Sequence, residues 1–259
     1  MGKPILLMRL EGPLQSWGVR ARWDVRDTQP EPTKSGIIGL LGCALGYPMN
    51  DPRLETELDA GLRFGVRVES PGRVIEDYQT ISGFLPTAEG TFKHSGVKTA
   101  VSLAKLRSDP DVTPSTIISP RYYLEDAAFL VALEEKNGHA GLLRRCADAL
   151  ERPVWPIYLG RKACIPTRPV LEVFTQEYDD IKDALRRHEW SWLRSCKIKR
   201  DEKLPDQLDA YAENEDGPFV RQDAVRINPA RSYGFRHASH FKVQLTKEMI
   251  DGVSIQAGA

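Results

Sequence analysis

Two β-α-β patterns in one chain constrain the fold of this sequence more than any other feature. In the first pattern, residues 5–10 form a short, mainly apolar run that a Glu-Gly-Pro sequence ends, which is typical of a buried strand. Thr33 is a favourable helix N-cap, apolar side chains then recur at helical spacing, and Gly46 predicts where that helix ends. Residues 62–69 alternate between apolar and polar side chains, which predicts a strand with one buried face.

The second pattern follows a long polar segment. Residues 122–133 are apolar enough for a strand, residues 139–150 have apolar side chains at helical spacing, and residues 169–174 predict a short strand. Between the two patterns, residues 82–120 are rich in Gly, Ser, Thr, Pro and Lys. A structureless loop of that length is unusual in a compact domain, so we expect a functional excursion. The order predicts an α+β, ferredoxin-like (RRM-like) βαββαβ fold with a long insertion.

These patterns divide the chain into two regions. We call residues 1–175 the palm, which the insertion interrupts at about residues 77–120. The remainder, residues 176–259, is expected to be a small C-terminal β extension. Its predicted elements are a short helix over residues 178–187, an acidic loop, and strands near residues 219–227 and 240–245.

Composition indicates a globular chain rather than a disordered, fibrous or membrane-spanning one. The 259 residues are 41% apolar and 28% charged, and no run of 18 apolar residues occurs. The first 13 residues have too short an apolar part for a convincing signal peptide. No C-x-x-C motif occurs, so neither a zinc knuckle nor a disulfide framework is expected, and a reduced cytoplasmic setting fits best. The four cysteines are widely separated: Cys43, Cys146, Cys164 and Cys196.

Charge is balanced over the whole chain but not along it. Lys and Arg number 36, as do Asp and Glu, so net charge gives no argument for nucleic-acid binding. Residues 141–200 hold 13 basic and 8 acidic side chains. Residues 201–220 hold 1 basic and 7 acidic side chains, and residues 221–242 hold 5 basic and 1 acidic side chain. A neutral protein presents a basic face when its acids are segregated; the alternative is two solvated faces joined by an acidic loop.

Motifs for metal-dependent or nucleophilic catalysis are not found in the sequence. His237 and His240 have a spacing that suits two ligands on a helix, but nearby Gly and Ser argue against a helix and no third ligand follows. Metal-independent RNA cleavage needs a base, an acid and a cation beside the phosphate. The residues that could supply these groups are His94, Lys98, Tyr122 and Tyr158.

Two segments near the N-terminus have compositions suited to nucleic acid. The sequence GPLQSWG places Trp17 just before Arg20 and Arg22, which combines an aromatic platform with guanidinium groups. The alternative is a loop whose Trp side chain fills the core. The sequence PTKSG opens the first predicted helix with Lys34 and Ser35, so free N–H groups and a cation predict a phosphate site. The alternative is a plain N-cap, in which the Lys needs an anionic partner.

The third segment, WPIYLGRK, has the same kind of composition. Gly160 permits close backbone approach, Arg161 and Lys162 are suited to phosphates, and Trp155 and Tyr158 are suited to stacking on bases. The alternative is a basic turn. Each segment is weak alone, but the three together favour a nucleic-acid-binding protein.

At these segments the sequence resembles a known family. GPLQSWG, the helix PTKSGIIGLLGCALG, DYQT, and YLGRKAC followed by TRP are similar, in order and spacing, to CasD-type proteins, the fifth Cas family of the RAMP superfamily. CasD-type proteins are subunits of the type I-E CRISPR surveillance complex, Cascade. The resemblance covers about residues 4–175, whereas the charged tail matches poorly.

The resemblance implies a ferredoxin-like palm with a projecting thumb, here the insertion at about residues 77–120. It implies a non-catalytic protein that caps the 5′ handle of the CRISPR RNA in antiviral defence. The implied partners are CasC-like backbone subunits and a CasA-like large subunit, with target DNA reached only through the complex. No cofactor, metal or membrane is implied. In the type I-C branch the same family is itself an endoribonuclease, which stays open as the alternative function.

The resemblance also assigns residues to the RNA. The family's arginine before the third palm strand corresponds to Arg121, and its loop tyrosine and loop cations correspond to Tyr158, Arg161 and Lys162. An upstream aromatic corresponds to Trp155. The implied thumb residues are Lys93, His94 and Lys98.

Overall fold

A seven-stranded antiparallel sheet is the centre of the molecule. Its strand order is β11-β12-β10-β3-β8-β1-β9; β2, β7 and β4 form a second sheet in that order, and β5 pairs with β6. In chain order the elements are β1 (Ile5–Glu11), β2 (Leu14–Gln15), α1 (Lys34–Leu45), a π-helical turn (Leu54–Asp59), β3 (Leu62–Ser70), β4 (Arg73–Gly83), β5 (Leu85–Pro86), β6 (Phe92–Lys93), α2 (Leu103–Ser108), β7 (Ser115–Glu125), β8 (Ala128–Glu135), α3 (Leu142–Glu151), β9 (Leu171–Thr175), α4 (Ile181–Arg187), β10 (Gln207–Glu213), β11 (Phe219–Arg226), β12 (Ser232–Gln244) and α5 (Lys247–Asp251).

These elements come from a computed structural model of the chain. It describes residues 2–18, 25–83, 85–87, 90–93, 102–111, 115–136, 139–190, 205–227 and 232–251. No helix in these ranges is both long enough and apolar enough to cross a membrane.

The strands of the two β-α-β patterns lie side by side in the large sheet. In chain order they are β1, β3, β8 and β9, with α1 after β1 and α3 after β8. In the sheet their order is β3-β8-β1-β9, and each neighbouring pair is antiparallel. β1 lies between β8 and β9, and all seven of its residues are buried. The fold is therefore mixed α/β on antiparallel sheets.

The ends of α1 confirm the predicted caps. Thr33 has extended backbone and its Oγ1 accepts the N–H of Gly36 at 3.2 Å. Gly46 has a φ of 74°, a left-handed conformation that glycine adopts without steric cost. Ile37 and Leu41 are fully buried, as the helical spacing predicts.

One predicted strand is in fact two. Residues 122–133 were expected to form a single strand, but β7 ends at Glu125 and β8 begins at Ala128. Asp126 between them has a φ of 60°, and Asp tolerates that conformation better than most residues. The polar interruption in the apolar run is therefore a turn.

Three strands of the C-terminal region belong to the large sheet. β10 pairs antiparallel with β3 through Ala210↔Arg67 and Ala212↔Gly65, so β10, β12 and β11 continue the large sheet. β10 lies where an acidic loop was expected. Its buried positions are a leucine and two alanines, and alanine is a weak strand signal.

Contacts divide the chain into two compact units. The first contains residues 1–19, 28–74 and 123–259, and the second contains residues 20–27 and 75–122. The second unit thus includes the residues assigned to the insertion, together with residues 20–27. Within it, Tyr122 donates its backbone N–H to the carbonyl of Arg26 at 2.8 Å, and α2 begins at the N-cap Ser102.

A buried arginine on β3 joins the sheet to α4. Arg67 is fully buried, although its place in the alternating pattern predicted an exposed side chain. Its guanidinium donates to the carbonyls of Leu185 (2.8 Å), His188 (2.8 Å) and Glu189 (3.0 Å), and to Glu69 Oε1 at 2.8 Å. These bonds satisfy carbonyls at the end of α4, which would otherwise have no partner in the helix.

Candidate nucleic-acid interface

A short loop rests on the backbone near the N-terminus. We call residues 159–164 the Gly160 loop. The loop closes on itself, because the N–H of Leu159 donates to the carbonyl of Cys164 (2.7 Å) and the N–H of Cys164 donates to that of Arg161 (2.8 Å). The N–H of Ser16 donates to the carbonyl of Leu159 at 3.0 Å. The GPLQSWG and YLGRKAC segments are therefore in direct contact.

Gly160 makes this close contact possible. Its φ is 98°, which L side chains rarely adopt, and a Cβ there would overlap the carbonyl oxygen of Ser16. The sequence predicted that this glycine permits close backbone approach. The backbone that approaches it in the structure is the protein's own.

The Gly160 loop carries two cationic side chains, and two aromatic residues shortly precede it in the chain. Trp155 is 43% exposed and Tyr158 is half-buried. Lys162 is exposed and has no ion pair with any part of the chain that the structure describes. The guanidinium of Arg161 lies over the ring of Tyr123, 4.7 Å from its centroid. This surface has the donors that phosphates need and aromatic rings on which bases stack.

Sequence reasoning missed Tyr123. Its ring is buried and packs against the guanidinium of Arg161. Tyr122 and Tyr123 are neighbours in β7, and alternation along a strand places their side chains on opposite faces. That alternation was the sequence signal that Tyr123 lies on the face opposite to Tyr122.

Trp17 is not a stacking platform for nucleic acid. Only 1% of it is exposed, and its indole Nε1 donates to Gln15 Oε1 at 3.0 Å. The ring lies against Gly36 at the start of α1. The alternative interpretation, a core tryptophan, is the one that the structure supports.

Lys34 does not form an open phosphate site. The side chain is buried, and Nζ donates to the carbonyl of Asp59 and to Glu213 Oε2, both at 2.9 Å. Its backbone N–H, one of the donors predicted for a phosphate, donates to Asp223 Oδ2 at 2.7 Å. Burial lowers the pKa of Lys34, and the carboxylates of Glu213 and Asp59 oppose that shift. Ser35 is also buried, so both predicted phosphate ligands are structural.

The second unit holds another predicted contact. Arg121 lies in β7 and is half-buried, and no described residue accepts a hydrogen bond from its Nε. Lys93 lies in β6. Four predicted residues lie outside the described ranges: Arg20, Arg22, His94 and Lys98.

The other titratable candidates have partners in the protein. Tyr122 donates its hydroxyl to Glu76 Oε2 at 3.1 Å, and that bond raises the pKa of Tyr122. His240 lies in β12 with Nε2 2.6 Å from Asp209 Oδ1, and His237 Nδ1 lies 3.0 Å from the carbonyl of Gly217. In the described ranges no group of three or more His, Cys, Asp or Glu side chains is arranged to hold a metal ion.

Comparisons with known proteins identify the family of this chain. A model of the family described as CRISPR-associated protein (Cas_Cas5) matches residues 5–238. The Cascade subunit CasD of the CRISPR system of Escherichia coli K12 is 30% identical over 192 residues, which cover 71% of this chain and 76% of the relative.

Two solved structures are similar over almost the whole chain. A chain of a CRISPR RNA-guided surveillance complex superposes with a TM-score of 0.67 at 28% identity, covering 95% of this chain and 92% of the other. The crystal structure of a Cas protein superposes with a TM-score of 0.61 at 32% identity, covering 95% and 97%. The chain therefore belongs to the Cas5 family of CRISPR-associated proteins, and within it is of the CasD type.

Proposed function

We propose that this chain is a non-catalytic subunit of a type I Cascade complex that binds CRISPR RNA and caps its 5′ handle. The observation that carries the proposal is the Gly160 loop. It is fixed against Ser16, it carries Arg161 and Lys162, and the exposed Trp155 precedes it in the chain. Phosphates would bind the two cations, and splayed bases would stack on Trp155 and Tyr158.

The strand order supports the fold that this function uses. We infer that β1, β3, β8 and β9 with α1 and α3 form a ferredoxin-like palm, since the order β3-β8-β1-β9 with two crossover helices is the one that fold requires. The insertion would be the thumb. Arg121 would bind the handle from β7, and Lys93, His94 and Lys98 would bind it from the thumb.

The same proposal names the partners. The similarity to a Cascade subunit supports assembly with CasC-like backbone subunits and a CasA-like large subunit. The chain would join the two at the 5′ end of the RNA, and the complex would bring it to target DNA. The complex would be cytoplasmic.

Replacing both loop cations with alanine is expected to weaken RNA binding by roughly 100-fold or more, because each of the two charge-assisted hydrogen bonds contributes roughly 1.5 kcal/mol. The slope of log K against log salt should fall in magnitude by roughly 0.7 for each phosphate that the variant no longer neutralises. The measurement is fluorescence polarisation of Arg161→Ala/Lys162→Ala with labelled RNA that carries the 5′ handle of its own CRISPR repeat.

Arg186→Ala/Arg187→Ala is the matched control. These two cations are also adjacent and exposed, at the end of α4, and their loss changes net charge equally. Equal losses of affinity in the two double variants would mean that overall charge, not the Gly160 loop, binds the RNA.

The purified protein is expected to leave its cognate repeat RNA intact, with and without divalent metal. The basis is the resemblance to the type I-E branch, whose CasD-type subunits bind RNA that another protein has cut. The measurement is denaturing gel electrophoresis of end-labelled RNA after incubation. A defined cut near the handle that disappears in His94→Ala or Tyr158→Phe would establish the endoribonuclease alternative instead.

A further inference from the structure

Two buried side chains flank the residue on which the Gly160 loop rests. Gln15 is fully buried, and its Nε2 donates to the carbonyls of Leu10 (3.1 Å) and Ala127 (2.7 Å). Its Oε1 accepts the indole N–H of Trp17. Both amide donors and the acceptor of Gln15 are therefore engaged, which fixes its rotamer.

Trp17 is held at its ring and at its backbone. The ring edge packs on Gly36, where a Cβ would lie 2.8 Å from Trp17 Cε3. The backbone N–H of Trp17 donates to Thr28 Oγ1 at 2.9 Å, and its carbonyl accepts the N–H of Gln29 at 3.0 Å. The peptide groups on both sides of Ser16 are thus restrained.

Ser16 transmits this restraint to the loop. Its N–H bonds Leu159, and its carbonyl occupies the space beside Gly160 that any side chain would need. A rotation of the Gln15–Ser16 peptide would break the first contact, and a rotation of the Ser16–Trp17 peptide would change the second. We propose that Gln15 and Trp17 are positioning residues that hold the Gly160 loop in its RNA-binding conformation, an inference that rests on the proposed function.

The test perturbs the pair from two sides in the full-length protein. Trp17→Phe removes the indole N–H and leaves Gln15 Oε1 without its partner. Gly36→Ala presses on the indole from α1, and alanine is a better helix former than glycine. Gly39→Ala is the control, because it lies in the same helix with nothing within 4 Å of the new Cβ.

Two quantities are measured for each variant. The first is amide hydrogen exchange of Ser16 and Cys164 in the protein without RNA. We expect about tenfold faster exchange in Trp17→Phe and Gly36→Ala but not in Gly39→Ala, since a hydrogen bond that is removed contributes roughly 1.4 kcal/mol. The second is affinity for the handle RNA, which should fall by a similar factor with an unchanged salt slope, because no cation is removed.

The outcomes separate this inference from the proposed function. Unchanged exchange in both variants overturns the positioning role. Faster exchange with unchanged affinity also overturns it, provided that Arg161→Ala/Lys162→Ala binds RNA more weakly. If Trp17→Phe, Gly36→Ala and Arg161→Ala/Lys162→Ala all bind RNA with unchanged affinity, the proposed RNA site itself is wrong. The inference that Gln15 and Trp17 position that site for RNA is then wrong as well.

Discussion

Gly160→Ala is expected to abolish measurable binding of the handle RNA. The new Cβ would overlap the Ser16 carbonyl oxygen, and alanine at a φ of 98° adds backbone strain of about 1–3 kcal/mol. The loop must therefore leave Ser16 and change the position of Arg161 and Lys162. Fluorescence polarisation gives the affinity, and urea denaturation gives the accompanying loss of stability.

Gly141→Ala separates the two causes. Gly141 has a φ of 84° but nothing within 4 Å of a Cβ, so this variant has the strain without the overlap. It should be destabilised yet bind RNA normally. A Gly160→Ala protein that binds RNA as well as the wild type would show that the contact with Ser16 is irrelevant to function.

Arg67→Met is expected to cause the largest loss of stability, about 3 kcal/mol in the free energy of unfolding. Breaking a buried ion pair typically costs about 3–5 kcal/mol. The lower end of that range applies because Glu69 keeps a second cationic partner in the variant: Arg9 Nη1 lies 3.3 Å from Glu69 Oε1. The carbonyls of Leu185 and His188 also lose their donor. Urea denaturation followed by circular dichroism measures the change.

Arg67→Lys and Arg63→Ala complete the comparison. Lysine keeps the charge but not the planar fork, so Arg67→Lys should also lose most of this stability. Arg63 is on the same strand, is 37% exposed and pairs with Glu134 at 3.1 Å. Its removal should cost less than about 1 kcal/mol. A wild-type midpoint for Arg67→Met would show that the end of α4 does not depend on this arginine.

The sequence predicted the elements whose signals are local. The Thr33 and Gly46 caps of α1 and the alternation over β3 depend on neighbouring residues, and the structure confirms these elements. β10 was missed because its inward residues include Ala210 and Ala212, which are too small to mark a buried face. Its place is decided by pairing with β3, more than 140 residues earlier in the chain.

The site was harder to predict because charge and aromaticity do not reveal burial. Trp17 and Lys34 have side-chain types suited to RNA, yet the first lies under α1 and the second is paired with Glu213. The groups that bury them come from distant segments. The Gly160 loop was recognised because a glycine and two cations in succession indicate a surface turn whatever surrounds them.

The position of β10 beside β3 affects the protein while it is being synthesised. β3 is complete once residue 70 has left the ribosome, but its partner β10 ends only at residue 213. At about 5–20 residues per second, the outer edge of β3 has no partner strand for roughly 7–30 s. An uncovered strand edge pairs readily with other chains. Nascent chains that stall or are cleaved before β10 emerges therefore keep this strand edge open to pairing with other chains.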